Sequence, residues 1–342
     1  MSLKVGMLGY FGFGNYGDEL FLDVWKDIFS DSTLVGFKEV TGKSKCMHSS
    51  DAERNDFAES VDAIVIGGGD LIRPTGKINY WYQELLIKPV FLYGIGVATW
   101  LGKEPKAVKQ ILGFLAHSNC ISIGLRDIES YNWLVSNAPE IENKLYVTPD
   151  MVFSMQKNKK QIFQQKTIGI ITRHQKKYED RRIKQMRLIK DIYEECGHKV
   201  VEILASTGPE KEWDIEGSKG WGIGCEVLTF DNDQQITEAI SSCDLIYSMK
   251  FHGCVVGLLH HVPTISLLKT DKFVNLYKFL RLENWLIGGS PEKIKFEDSQ
   301  KNRRQLWSNI DTLTEFSKVG LMKLKMELNV AIDGNEKFNK VL

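Results

Sequence analysis

The residues best suited to chemistry stand where apolar runs end. Ser248-Met249-Lys250-Phe251-His252-Gly253 closes one such run and opens an apolar segment through Val255, Val256, Leu258 and Leu259. A Lys and a His two positions apart on an extended segment point the same way, and Gly253 lets a ligand approach a helix N-terminus, where anions are favoured. A lone histidine more often caps or packs beneath a helix than reacts. Paired with Lys250 at such a terminus, His252 is the chain's best catalytic candidate.

A second stretch, Lys4–Leu22, reads Lys-Val-Gly-Met-Leu-Gly-Tyr-Phe-Gly-Phe-Gly-Asn-Tyr-Gly-Asp-Glu-Leu-Phe-Leu. Its short apolar run suits a strand buried on both faces of a parallel sheet, and its glycines followed by helically spaced Leu20, Val24, Trp25 and Ile28 predict strand, glycine loop and helix. Backbone N–H groups at such a loop can cradle a phosphate or carboxylate. The string Gly12 to Gly17 also fits a dinucleotide fingerprint, but Asp18 and Glu19 fall where a pyrophosphate would lie and would repel it. The plain alternative is a tight turn with two acids favouring the helix dipole.

Further groups follow other apolar runs. Ala63–Ile66 leads to Gly67-Gly68-Gly69 and Asp70, read as a second glycine loop at which a ligand approaches the backbone. Val90–Tyr93 leads to Gly94-Ile95-Gly96, Cys120–Ile123 to Gly124-Leu125-Arg126-Asp127, Tyr146-Val147 to Thr148-Pro149-Asp150, and Thr167–Thr172 to Arg173-His174. Lys269 and Lys272 follow the run His261–Leu267, and Tyr80, Trp81 and Tyr82 could stack on a sugar or fill a core.

Strands must alternate with helices to position these groups. The pattern predicts helices over 106–116 and 182–196 and at 236–241, a second strand at 33–39 and a polar loop over 43–55. Such alternation is the signature of doubly wound α/β sheets. A chain of 342 residues suggests about two domains. The first spans 1–155; 156–166 is a Gln- and Lys-rich linker; the second spans 167–290; and 291–342 is mostly helical, with a break at Gly320.

With 44 basic and 44 acidic residues the chain has no net field to hold a polyanion, so nucleic acid is excluded as a partner. No apolar run approaches the ~18 residues of a membrane helix, and the N-terminus lacks a signal-peptide core, so a cytoplasmic protein is expected. Six cysteines without a CxxC pair signal neither zinc nor a redox dithiol, and Cys254 is read as buried filler. Asp18, Asp70 and Asp150 could hold Mg²⁺, but no ligand spacing requires a metal. Lys318, Lys323 and Lys325 amid apolar residues suit a packed terminal helix better than a membrane surface.

In series, Gly14-Asn15-Tyr16-Gly17-Asp18-Glu19, Gly67–Asp70, Gly94–Gly96, Leu125-Arg126-Asp127 with Ser130, Thr148–Asp150, and Phe251-His252-Gly253 through Gly257 and Pro263 to Lys272 resemble the polysaccharide pyruvyl transferase family over residues 4–275. One departure is Lys250, where the family commonly has Arg; Lys keeps the charge and loses the bidentate fork. The resemblance implies two Rossmann-like domains facing a cleft, as in GT-B glycosyltransferases. It also implies transfer of the enolpyruvyl group of phosphoenolpyruvate, a co-substrate, to two hydroxyls of one sugar in a cell-surface or exopolysaccharide glycan. The products are a pyruvate ketal and phosphate, with no further cofactor, and peripheral contact with membrane-bound glycan assembly is implied.

Under that resemblance His252 is the general acid or base, and Lys250, Arg126, Arg173 and Lys272, with the N–H at Gly253, hold the anionic donor. Asp18 or Asp70 orients or deprotonates the acceptor, with Asn15, Gly17 and Gly68 beside them. Two other readings stay open: a nucleotide-sugar glycosyltransferase on the same fold, and a non-catalytic glycan-binding relative.

Overall fold

A computed structural model describes residues 2–43, 45–75, 80–157, 160–174, 179–288 and 303–339. The chain forms two compact units. Met1–Phe11, Phe21–Met151 and Glu315–Leu342 make the first, and Gly12–Leu20 with Val152–Thr314 make the second. Each centres on a parallel sheet whose inner strands are largely apolar, as burial on both faces requires.

In chain order the first unit is built from β1 (Lys4–Leu8), α1 (Tyr16–Ile28, its first turn grouping with the second unit), β2 (Thr33–Gly36), α2 (Phe37–Thr41), α3 (Asp51–Glu59), β3 (Ala63–Ile72), β4 (Val90–Val97), α4 (Pro105–Ala116), β5 (Cys120–Leu125), α5 (Ile128–Asn137) and β6 (Leu145–Val147). Strand order is β2-β1-β3-β4-β5-β6, all pairs parallel. The core packs Ile64, Ile66, Leu92, Ile95, Ile123 and Leu125 against Ile111, Phe114 and Leu134. Tyr80 and Trp81 belong to this core, Trp81 edge-on to Phe114 at 5.5 Å, while the Tyr82 ring carries the Arg54 guanidinium at 4.0 Å.

The second unit contains β7 (Thr167–Ile171), α6 (Glu179–Glu195), β8 (Lys199–Ile203), α7 (Gly208–Trp221), β9 (Glu226–Leu228), α8 (Asp233–Ser242), β10 (Leu245–Ser248), α9 (Phe251–Leu259), β11 (Thr264–Ser266) and α10 (Asp271–Phe279). Its order is β11-β10-β7-β8-β9, again all parallel. The chain leaves β7 in one direction toward β9 and resumes on the other side with β10. The topological switch point therefore lies between β7 and β10. Finally α11 (Arg303–Asn339) closes the described chain.

Four local expectations are corrected. Residues 51–59 form α3 rather than a loop, because Ser50 and Glu53 make a reciprocal capping box and Phe57 and Ala58 are buried. The strand expected over 33–39 ends at Gly36 and turns into α2. The glycine run 67–69 does not form a loop but continues β3 to Ile72, paired with β4 at Gly67 and Gly69. The helix α11 does not break at Gly320, where a Cβ would stand 2.4 Å from the Tyr93 hydroxyl, so the residue permits close helix packing. Helix α11 starts at Arg303; the expectation for 291–302 lies outside the described residues. Within it Lys318 pairs with Glu315, Lys323 with Glu327 and Lys325 with Asp31. Among the described residues no helix is long and apolar enough to cross a membrane. All six cysteines are free, and burial pushes the Cys254 thiol up to about 12, as suits a packing role.

Candidate functional site

At the switch point of the second unit, parallel register decides which residues emerge together. Ser248 of β10 lies opposite Ile171 of β7, which lies opposite Ile203 of β8. The segments that follow carry Lys250 and His252, Arg173 and His174, and Ser206. Lys250 is extended (φ −99°, ψ 132°) and N-caps α9, so His252 falls in the first helical turn. The two were expected on one extended segment; the helix begins one residue too early for that. Gly253 is likewise inside the helix, where a Cβ would meet the Ser248 hydroxyl at 2.5 Å. Its missing side chain seats α9 on the sheet.

Lys250 Nζ donates to the Ala205 carbonyl at 2.9 Å and to Asp214 Oδ2 at 2.6 Å, with 13% and 14% of the two side chains exposed. Asp214, from α7, also accepts from the Ser206 hydroxyl at 2.6 Å and lies 3.6 Å from His174 Nδ1. The other ring nitrogen of His174 is 3.4 Å from Glu202 Oε1. Glu202 is buried and accepts from Thr172 and Ser218 hydroxyls, both at 2.7 Å. Burial opposes the charge on Asp214, but His174, Lys250 and Ser206 outweigh it and hold the carboxyl well below the usual range. Burial likewise opposes protonation of His174, and Asp214 and Glu202 overcome it, raising the imidazole pKa.

The loop expected to cradle an anion behaves differently. Glu19 Oε1 accepts the N–H groups of Gly12, Phe13 and Gly14 at 2.8, 3.1 and 3.0 Å, so the chain's own carboxylate fills that nest. Outward carbonyls of the loop then hold α7: Thr207 N–H donates to Gly14 at 2.8 Å and Glu210 N–H to Phe13 at 3.2 Å. These bonds explain why Gly12–Leu20 groups with the second unit. Asn15 bridges to Ser206. At Gly17 a Cβ would stand 1.7 Å from His252 Nδ1, so only glycine admits the imidazole there. Asp18 is half-buried in the first turn of α1.

Arg126, Asp70 and Gly68 belong to the first unit. Arg126 is buried, paired to Asp70, within 4.0 Å of Asp127, and under the influence of Asp150. Asp127 in turn caps α5 by accepting from Ser130 N–H at 2.8 Å. Gly68, at φ +86°, leaves room for the Phe21 ring, which a Cβ would meet at 2.0 Å. Lys272, in α10, lies over the Phe251 ring at 5.4 Å, and that ring stands edge-on to His252 at 5.3 Å. Arg173 is exposed. The second unit thus gathers Asn15, Gly17, Asp18, Arg173, Lys250, His252, Gly253 and Lys272, and the first holds Gly68, Asp70 and Arg126.

Sequence reasoning did not find Glu210 or Asp214, because it did not find α7; it also passed over Glu202, in β8, and Ser206, just before α7. The signal for α7 was Thr207-Gly208-Pro209, with proline in the first turn. Among the described residues no group of three His, Cys, Asp or Glu side chains is arranged to hold a metal ion.

The fold has many solved relatives at low identity. A Listeria monocytogenes protein assigned as a UDP-N-acetylglucosamine 2-epimerase superposes with a TM-score of 0.59 at 12% identity, covering 98% of each chain. S. aureus MnaA, solved with UDP, gives 0.58 at 11% identity, covering 96% of this chain and 98% of its own. The Neisseria meningitidis UDP-GlcNAc 2-epimerase bound to UDP-GlcNAc gives 0.56 at 13%, covering 95% and 100%. They show the fold, GT-B-like in its doubly wound α/β units. No curated protein matches the chain. The family model for polysaccharide pyruvyl transferase matches residues 15–268, which takes in the Asn15–Glu19 segment, the Arg126 cluster and the whole switch point. On that match the chain belongs to the polysaccharide pyruvyl transferase family.

Proposed function

We propose that the protein transfers the enolpyruvyl group of phosphoenolpyruvate to two hydroxyls of one sugar of a surface glycan or its precursor, forming a ketal and releasing phosphate. The observation that carries this reading is the second unit's switch point. There a histidine in the first turn of α9, a helix N-terminus and an exposed arginine stand at the strand ends where open α/β sheets bind ligands. Such a donor brings a carboxylate and a phosphate, and its enol phosphate needs a proton at carbon before a hydroxyl can attack.

His252, fixed against Gly17, moves protons between hydroxyl and leaving phosphate. Arg173 and the N–H groups opening α9, Gly253 among them, hold the donor's negative charge, with Lys272 beside them over Phe251. Lys250 shares its charge with Asp214, so it orients this corner as much as it binds. Asp18 and Asn15 orient the acceptor from the start of α1. Arg126 and Asp70 neutralise one another, which suits them to shaping the first unit more than to holding a free anion. Phosphoenolpyruvate is a cytoplasmic metabolite, so this reading puts the reaction in the cytoplasm.

The test is acceptor-dependent phosphate release from phosphoenolpyruvate across a panel of sugars, together with thermal stability in phosphoenolpyruvate or UDP. We expect a stability rise with phosphoenolpyruvate and ketal formation that His252→Asn abolishes at saturating donor. A rise with UDP alone would favour nucleotide-sugar chemistry. Sugar binding without phosphate release would favour a glycan-binding protein.

A further inference from the structure

We infer that the outer face of α11 is an interface at which two copies of this chain pair through antiparallel helices. The inference does not depend on the chemistry proposed above. Helix α11 is apolar on two sides. Along its inner side Leu321, Leu324 and Leu328 are buried, and the Ser317 hydroxyl donates to the Asp150 carbonyl at 3.2 Å. At Gly320 a Cβ would stand 2.6 Å from the Thr148 hydroxyl, so the helix is seated tightly on the first unit. The inner side thus accounts for how the helix is held.

The outer side carries Phe316, Val319, Met322, Met326 and Val330, each 56–70% exposed. Spaced by three or four residues, they form one stripe about 20 Å long on a single face of the helix. A surface helix ordinarily turns polar residues to water opposite the stripe that holds it. Here a second apolar stripe stands in their place. A contiguous exposed patch of this kind, rimmed by charged residues, marks an interaction surface.

Charge decides between a bilayer and a second copy. A helix lying on a membrane surface is flanked by an excess of lysine and arginine, whereas this stripe is flanked by Glu315, Lys318, Lys323, Glu327 and Asp333, with acids outnumbering bases. Lys325 turns back to Asp31 of the first unit. The same flank fits a second α11 run antiparallel. Setting Val319 of one copy opposite Val330 of the other also sets Met322 opposite Met326, and it brings Lys318 to within one turn of Asp333 on the same side of the seam. Lys318, 49% exposed beside Glu315, and exposed Asp333 are both within reach of a second copy. A twofold axis repeats each of these pairs, so the surface is complementary to itself and the assembly closes at two chains. Antiparallel helices also oppose their dipoles, which parallel copies would align.

The experiment is sedimentation velocity of the full chain over a range of concentrations at low salt, with the urea midpoint of every variant as a check on folding. Wild type is expected to pass from one chain to two as concentration rises. Val319→Glu/Met326→Glu, at two exposed positions, should keep the midpoint and raise the dissociation constant at least about a hundredfold. Lys318→Glu and Asp333→Lys should each raise it roughly tenfold. An equimolar mixture of those two should return to within about threefold of wild type, because each then offers the other an opposite charge; mixing cannot repair a contact made within one chain. Should the two glutamates lower the midpoint, the mixture decides alone. Wild type that stays a single chain throughout overturns the inference, as does a dimer that Val319→Glu/Met326→Glu leaves intact while folded. A mixture that stays as weak as its components overturns the antiparallel pairing. Wild type that remains single yet sediments with phosphatidylglycerol vesicles gives the stripe to a lipid surface instead.

Discussion

Each unit buries a cation among carboxylates near the carboxyl ends of its strands, yet the two clusters differ in what stands around them. In the first unit one guanidinium, Arg126, answers Asp70, Asp127 and Asp150, with 4% of the Arg126 side chain and 12% of the Asp70 side chain exposed. In the second, Lys250 and His174 answer Asp214 and Glu202, and around them stand exposed Arg173 and half-buried Glu210. A closed cluster braces a fold. One with charge to spare at its rim can exchange protons and hold an anion. Buried charge alone therefore does not mark a site; the additional, partly solvated groups do.

The sharpest way to break this contrast is at its closed end. Arg126→Met should leave Asp70 and Asp150 without their cation and cost about 3–5 kcal/mol, read as a lower urea midpoint. Adding Asp70→Asn should recover part of that loss. A single-variant cost below about 1 kcal/mol would mean the cluster is no brace.

Lys250→Met should cost less, about 2–3 kcal/mol, because His174 and Ser206 still face Asp214. Unlike Arg126→Met at a temperature where both remain folded, it should also shrink the stability gained from phosphoenolpyruvate. Equal donor responses in the two variants would erase the distinction between brace and site.

The pH axis separates the clusters further. The folded pKa of His174 is raised, so its stabilisation is complete below the unfolded value of about 6.5 and fades as pH rises through the higher folded value. His174→Asn should therefore cost about 1.5 kcal/mol near pH 5.5 and progressively less under alkaline conditions. Asp214 has the opposite sense: its folded pKa is depressed, and its contribution is present above about 3.9 and lost as pH falls through the folded value. A His174→Asn cost that does not vary with pH would show that the ring acts by packing on Trp221, 4.6 Å away, rather than by charge.

Most of the framework was legible in the sequence because parallel strands must be apolar on both faces; β1, β4, β7 and β10 read as uninterrupted runs. Lys250 and His252 were legible because such a run ends just before them. Helix α7 was not, since Gly208, Gly217 and Gly220 and a sparse apolar stripe mask its period, and with it went Glu210 and Asp214. Helix α3 hid behind polar residues, although Ser50 and Glu53 carried its start signal. The capture of three loop amides by Glu19 lay beyond pattern reading, because spacing cannot tell a nest waiting for a ligand from one filled by its own chain.

A pair of glycines offers the smallest and most discriminating test. A Cβ on Gly96 would lie 2.7 Å from Arg126 Nη2 and 3.0 Å from Asp70 Oδ1, within the closed cluster. Gly96→Ala should therefore act on stability, by about 1–3 kcal/mol, since neither partner can leave without breaking a buried ion pair. At Gly17 the atoms nearest the intruding methyl all belong to the imidazole of His252, a half-buried ring rather than a member of a buried ion pair. Gly17→Ala should cost about 1 kcal/mol or less in the urea midpoint and yet lower turnover at least tenfold, because the displaced ring no longer meets the reacting hydroxyl. If Gly17→Ala instead unfolds the protein while turnover per folded molecule is unchanged, His252 serves packing, and the two clusters differ in composition but not in purpose.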